Sequence, residues 1–160
     1  GNRYEVLDGQ LLVTPQASRA HQYVTTQLAF ALELYLRATG VAHVVGPGAV
    51  PFGRNELQPD VQVIPGPRRA GTWDDCPAPI LVVEVLSDST ARRDLGVKRA
   101  AYMTRGVAEY WIIDVNAHAA TIVRPDRADE RVVDVVRWTP RKNLPALEIS
   151  LCEDRRPKGK

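Results

Sequence analysis

Glu84 lies inside Ile80-Leu81-Val82-Val83-Glu84-Val85-Leu86, where every other side chain is aliphatic. A continuous apolar run of this length, without alternation, is the pattern of a strand buried on both faces. A carboxylate in such a strand costs several kcal/mol unless a cation or hydrogen-bond donors compensate it. Upstream, Pro59-Asp60 opens a second apolar stretch, Val61-Gln62-Val63-Ile64, which can bring another carboxylate alongside. Two acidic groups on neighbouring strands point to a shared metal. Each also has a plainer explanation: an Asp after a proline serves in turns, and a neighbouring Arg would compensate Glu84 as a salt bridge.

Further along, Asp94, Lys98 and Tyr102 recur at steps of four, so on a helix each is rotated only about 40° from the last. One reading of this stripe is a solvated face with an Asp94–Lys98 ion pair worth a few tenths of a kcal/mol. The other is a functional face overlying the end of the Glu84 strand. Tyr102 is either a hydrogen-bond donor to a site or a packing residue. His21 is a site base or a surface residue, and Glu5 is a further candidate for the same cleft. Tyr110 and Trp111 read as core.

The elements that must position these groups follow from period and punctuation. Arg3–Leu7 and Gln10–Thr14 flank Asp8-Gly9, a dipeptide suited to the positive φ angles of a tight hairpin turn. From Ser18 to Thr39, Val24, Leu28, Ala31, Leu32 and Tyr35 fall at three- and four-residue steps, the apolar stripe of a helix that Gly40 ends. A bent strand is expected over Val41–Ala49, interrupted at Gly46-Pro47, followed by the Asp60 strand. Pro65 to Pro79, rich in Gly, Pro and Asp, reads as a loop bordering a site. After the Glu84 strand, Ser87-Asp88-Ser89-Thr90 offers N-caps for a helix from about Ala91 to Arg105, closed by Gly106. Strands are expected at Tyr110–Ile113, Thr121–Val123, Val132–Val136 and around Leu147, Ile149 and Leu151. This order implies an α/β domain built on a mixed sheet.

At 160 residues the chain fits one domain, residues 1–160, with a hairpin over 1–15 and a basic tail over 152–160. A chain of this size buries roughly two thirds of its unfolded surface, so neither metal nor disulfide is needed to hold it folded. Charged residues make up 25% and hydrophobic ones 44%, ordinary for a globular protein. The net charge of +2 is too small to identify a polyanionic partner. Basic clusters at Arg68-Arg69, Arg92-Arg93, Arg141-Lys142 and Arg155 to Lys160 permit one. Cys76 and Cys152 lie far apart with no CxxC spacing, and His43 and His118 are equally scattered, which disfavours a zinc knuckle or redox motif. No apolar run approaches the length of a membrane span and no signal-like start is present, so a cytoplasmic location is expected.

Pro59-Asp60, Glu84-Val85-Leu86-Ser87, the trio Asp94, Lys98 and Tyr102, and Gly106-Val107-Ala108-Glu109-Tyr110-Trp111 together resemble the Uma-type bacterial restriction endonuclease family of the PD-(D/E)XK nuclease superfamily. Tyr4-Glu5, Asp8-Gly9 and His21-Gln22 extend the resemblance from Arg3 to about Val115. It implies a restriction-endonuclease-like mixed β-sheet flanked by helices. It also implies a Mg²⁺-dependent endonuclease, with Mn²⁺ able to substitute, that hydrolyses phosphodiester bonds in DNA. Asp60, Glu84 and Lys98 would be catalytic, with Glu5, His21, Asp94 and Tyr102 in support. The metal would be held by Asp60, Glu84 and the backbone carbonyl of Val85, an oxygen set suited to Mg²⁺. Two residues after the acidic residue, where the superfamily carries lysine, stands Leu86; the resemblance implies that Lys98 has replaced that lysine from the next helix. A homodimer is expected by analogy. The alternative is a nucleic-acid-binding or assembly module that keeps the fold without catalysis; a hydrolase of another phosphate ester is a third reading.

Overall fold

The computed structural model describes residues 2–67, 71–86 and 96–152. Strands β1 (Arg3–Leu7) and β2 (Gln10–Thr14) form the expected hairpin, with Leu7 paired to Gln10. Asp8 and Gly9 both adopt positive φ, 51° and 76°, as a two-residue turn of this hand requires. Helix α1 (Arg19–Thr39) starts at Ser18, whose hydroxyl accepts from the His21 N–H at 3.2 Å, and stops where Gly40 turns left-handed at φ 64°. Leu28, Leu32 and Leu36 fall on one face of α1 and are buried against the sheet. Each contributes about 1.5–3 kcal/mol on the usual transfer scale.

Among the described residues ten more strands follow: β3 (Ala42–Val45), β4 (Val50–Phe52), β5 (Asn55–Leu57), β6 (Val61–Pro65), β7 (Leu81–Val85), β8 (Tyr110–Asp114), β9 (Ala119–Val123), β10 (Glu130–Val133), β11 (Val135–Trp138) and β12 (Leu147–Ser150). The main sheet runs β10-β9-β8-β7-β6-β3, and the hairpin joins a second sheet, β2-β1-β5-β4. Within the main sheet only β7 and β8 are parallel. Helix α2 (Val97–Arg105) lies between them in the chain, as a crossover connection demands.

Strand β7 is buried along its whole length, as its apolar run predicts. Its two faces serve two cores. Leu81, Val83 and Val85 pack in the cluster that holds the buried face of α1. Val82 packs on the other side with Leu7 of β1, Leu57 of β5 and Tyr102 of α2. By the two-residue period of a strand, Glu84 shares the side of Val82, facing α2 and the hairpin sheet.

Three expectations change. The β4–β5 hairpin, turning at Gly53 with φ 57°, replaces unassigned chain before Asp60. Val132–Val136 is two strands rather than one, because Asp134 takes φ 64° and sends β11 into a separate two-stranded sheet with β12. The loop before β7 contains a 3-10 turn at Trp73–Asp75, tied by the Asp75 carboxylate accepting from the Thr72 N–H at 3.2 Å and hydroxyl at 2.8 Å. Tyr110 and Trp111 are core, with Trp111 set edge-on to Trp138 at 6.1 Å. The cap candidates Ser87 to Thr90, the helix start near Ala91, Asp94, and the basic clusters at 68–69, 92–93 and 155–160 lie outside the described residues. Among those described, no helix is long and apolar enough to cross a membrane.

Candidate active site

Strand β6 runs antiparallel to β7 with Val61 opposite Val83, so one further step of that register sets Asp60 beside Glu84. Both carboxylates are 2% exposed. Asp60 Oδ2 accepts the Val85 N–H at 2.8 Å, fastening the start of β6 to the end of β7. The proline before Asp60 therefore marks the entry to the strand, and the carboxylate works across the sheet rather than within a turn.

Glu84 is compensated from α2. Lys98 Nζ stands 2.9 Å from Glu84 Oε1, and the Tyr102 hydroxyl donates to the same oxygen at 2.9 Å. Lys98 also reaches Glu5 Oε1 at 3.1 Å, which in turn accepts the Gln58 N–H at 2.9 Å. The Lys98–Tyr102 part of the polar stripe thus faces inward, with Lys98 2% exposed and Tyr102 fully buried. A solvated face is ruled out for these two residues. Burial pushes the Tyr102 phenol well above its ordinary value, and the nearby Glu84 charge adds to this, so the hydroxyl remains a donor.

On the cleft side stand two further donors, His21 and Arg3. His21, one turn into α1, points Nε2 at the Val85 carbonyl oxygen, 3.0 Å away, and at Asp60 Oδ2, 3.1 Å away. Both neighbours are acceptors, so this nitrogen carries a proton. The hydrogen bond to Asp60 lifts His21 above the usual histidine value even though burial opposes it. Burial would raise Asp60, but the His21 hydrogen bond and the Arg3 charge outweigh it and hold the carboxyl below its ordinary range.

Arg3 is the site residue that sequence reasoning missed. Its Nη2 pairs with Asp60 Oδ1, and its Nη1 donates to the Gln58 carbonyl at 3.0 Å and lies 3.7 Å from Glu84 Oε2. The alternation of β1 was the available signal: Arg3, Glu5 and Leu7 share one face of the strand, and Glu5 and Leu7 are buried.

The expected residues therefore converge. Asp60, Glu84, Lys98, Tyr102, Glu5 and His21 form one connected network, with Asp94 outside the described residues. A cavity of about 730 Å³ opens onto it, lined by Arg3, Ser18, His21, Asp60, Glu84 and Asn116 among others. Lys98, Tyr102 and Glu5 lie behind Glu84, off the cavity wall. Leu86 lines the cavity mouth, and its side chain packs against the core of Val82 and Tyr102.

Among the described residues, no three His, Cys, Asp or Glu side chains gather into a ready metal cluster. The oxygens that would face an ion at the cleft wall are two carboxylates and the Val85 carbonyl. That set fits Mg²⁺, which keeps several waters and takes only one or two protein carboxylates.

The mixed sheet, its flanking helices and the paired acidic strands define a restriction-endonuclease-like α/β protein. The chain belongs to the Uma2 family: a family model described as "Putative restriction endonuclease" matches residues 1–152. Its structure is similar to the crystal structure of a "putative nuclease belonging to DUF820" from Anabaena variabilis, with a TM-score of 0.75. That likeness covers 92% of this chain and 87% of the other at 17% identity, and so concerns the fold. No curated protein matches the chain.

Proposed function

We propose that this protein is a metal-dependent endonuclease that hydrolyses phosphodiester bonds in DNA. One observation carries the reading: Asp60 and Glu84 meet on a cleft wall while Lys98 reaches Glu84 at 2.9 Å from the following helix. A phosphodiester needs its gathering negative charge neutralised and a water brought into line, and this arrangement supplies groups for both. DNA as substrate is supported by the family description.

Asp60, Glu84 and the Val85 carbonyl are the residues that would hold Mg²⁺, with Mn²⁺ able to use the same oxygens. When bound, the ion acts as a Lewis acid that neutralises charge on the phosphate and makes water more acidic. Lys98 fixes the Glu84 carboxylate and places a positive charge behind it, where it stabilises negative charge electrostatically in a dry setting. For its amine to orient a water in the cleft, Lys98 must exchange one of its two carboxylate contacts. Glu5 holds the other side of that ammonium, and the Tyr102 hydroxyl anchors Glu84 Oε1. His21 keeps the Val85 carbonyl and Asp60 in register by donating its Nε2–H to both. Cutting both strands of a duplex calls for two such sites, which a pair of chains would provide.

The test is cleavage of single-stranded, duplex and supercoiled DNA with Mg²⁺ or Mn²⁺, beside Asp60→Ala and Lys98→Ala. Metal-dependent cleavage that both substitutions abolish is expected. Equal cleavage by all three proteins would trace the activity to a contaminant and remove the catalytic assignment.

A further inference from the structure

Arg3 bridges the same two carboxylates that the metal reading requires. Its guanidinium spans Asp60 Oδ1 and Glu84 Oε2, and the Gln58 carbonyl holds it from the side at 3.0 Å. Mg²⁺ binds carboxylate oxygens at about 2.0–2.1 Å. A guanidinium at hydrogen-bonding distance from those oxygens would then sit only a few ångströms from a dication. The two compete for this place, because the guanidinium already occupies carboxylate oxygens that face the ion and the two positive charges repel each other in a poorly solvated setting.

We infer that Arg3 is a built-in counter-ion that holds Asp60 and Glu84 together in the metal-free protein and must be displaced by the divalent ion. The inference rests on the metal-dependent reading of this site. The side chain is suited to the exchange: it comes from the first residue of β1, lines the cavity and is 20% exposed, whereas Lys98 on the far side of Glu84 is 2% exposed. The two cations divide the work by position. Lys98 is locked among buried carboxylates, and Arg3 has open cleft beside it into which its long stem can swing. Without any counter-ion the two buried carboxylates would repel each other across the strand pair. With Arg3 in place their charges are compensated and they stay in register, and metal affinity is lowered by the cost of removing it.

Mn²⁺ and Mg²⁺ are titrated calorimetrically into the DNA-free protein, wild type beside Arg3→Gln and Arg3→Lys. Arg3→Gln is expected to bind Mn²⁺ about tenfold more tightly, a change of ~1.4 kcal/mol, with Arg3→Lys in between. Damage to the fold would weaken binding, so tightening separates competition from a structural role. Equal or weaker binding by a folded Arg3→Gln protein overturns the inference and leaves the metal reading standing. No binding by any of the three proteins overturns the metal reading and the inference with it. If the variants fail to fold, crystals of the wild-type chain with and without Mg²⁺ decide the matter. An ion seated between Asp60 and Glu84 with Arg3 withdrawn supports the exchange; an ion seated there with Arg3 still bridging them refutes it.

Discussion

Lys98 Nζ lies 2.9 Å from Glu84 Oε1 although the residues belong to different elements, fourteen positions apart in the chain. The ammonium sits between Glu84 and Glu5, so one cation compensates two buried carboxylates. Removing one partner of a buried pair strands the charge of the other. Lys98→Met should therefore destabilise the protein by about 3–5 kcal/mol, read from urea unfolding at neutral pH. A loss under about 1 kcal/mol, the range of exposed pairs, would show that the contact is loose in solution.

Tyr102→Phe removes a single hydrogen bond to a charged acceptor while keeping the packed ring against Tyr110, whose ring centre is 4.9 Å away. A loss of about 1.5–3 kcal/mol is expected. Cleavage should fall less than in Lys98→Ala, since Tyr102 orients Glu84 without supplying charge. Parallel measurement of unfolding and cleavage rates distinguishes these outcomes; an unchanged unfolding midpoint would argue against the bond.

Asp60→Asn and Glu84→Gln keep shape and remove charge. Each should lower cleavage by at least about 100-fold, the scale on which single electrostatic contributors act. On the proposed mechanism both act through one metal ion, so the double variant should lose little more than either single one. Additive losses would mean that the two carboxylates act independently.

His21 and Asp60 make stability depend on pH in the metal-free protein. The folded-state value of His21 is raised, so its contribution is complete below the ordinary histidine value and is lost as pH climbs through the raised one. Asp60 is lowered, so its contribution is present above the ordinary carboxylate value and is lost as pH falls through the depressed one. The stability gap between wild type and His21→Gln should thus be widest between about pH 4 and pH 6.5 and shrink toward alkaline pH. Denaturant titrations from about one pH unit below that window to about 2.5 units above it read this directly; a gap that widens above about pH 8 would contradict the pairing.

Much of the fold was legible locally. The Asp8-Gly9 turn, the apolar stripe of α1 with its stop at Gly40, and the unbroken apolar run of β7 each encode their structure in neighbouring residues. What was missed depended on distant partners. The short β4 and β5 strands have little pattern of their own and exist because they pair with each other and with β1. A single positive φ at Asp134 redirects what reads as one strand into two sheets.

For the site, residue types and burial cost were decided by the sequence alone: a carboxylate in an all-aliphatic strand demands compensation, Asp60 opens a neighbouring strand, and the family resemblance pointed to Lys98. Which cation answers which carboxylate was decided only by tertiary structure. Register sets Asp60 against Glu84, and the crossover to α2 turns Lys98 and Tyr102 inward. The hairpin brings Arg3 and Glu5 across from more than fifty residues away. Coulomb attraction and hydrogen bonding act over a few ångströms, and separation along a chain says nothing about such distances until the sheet has closed.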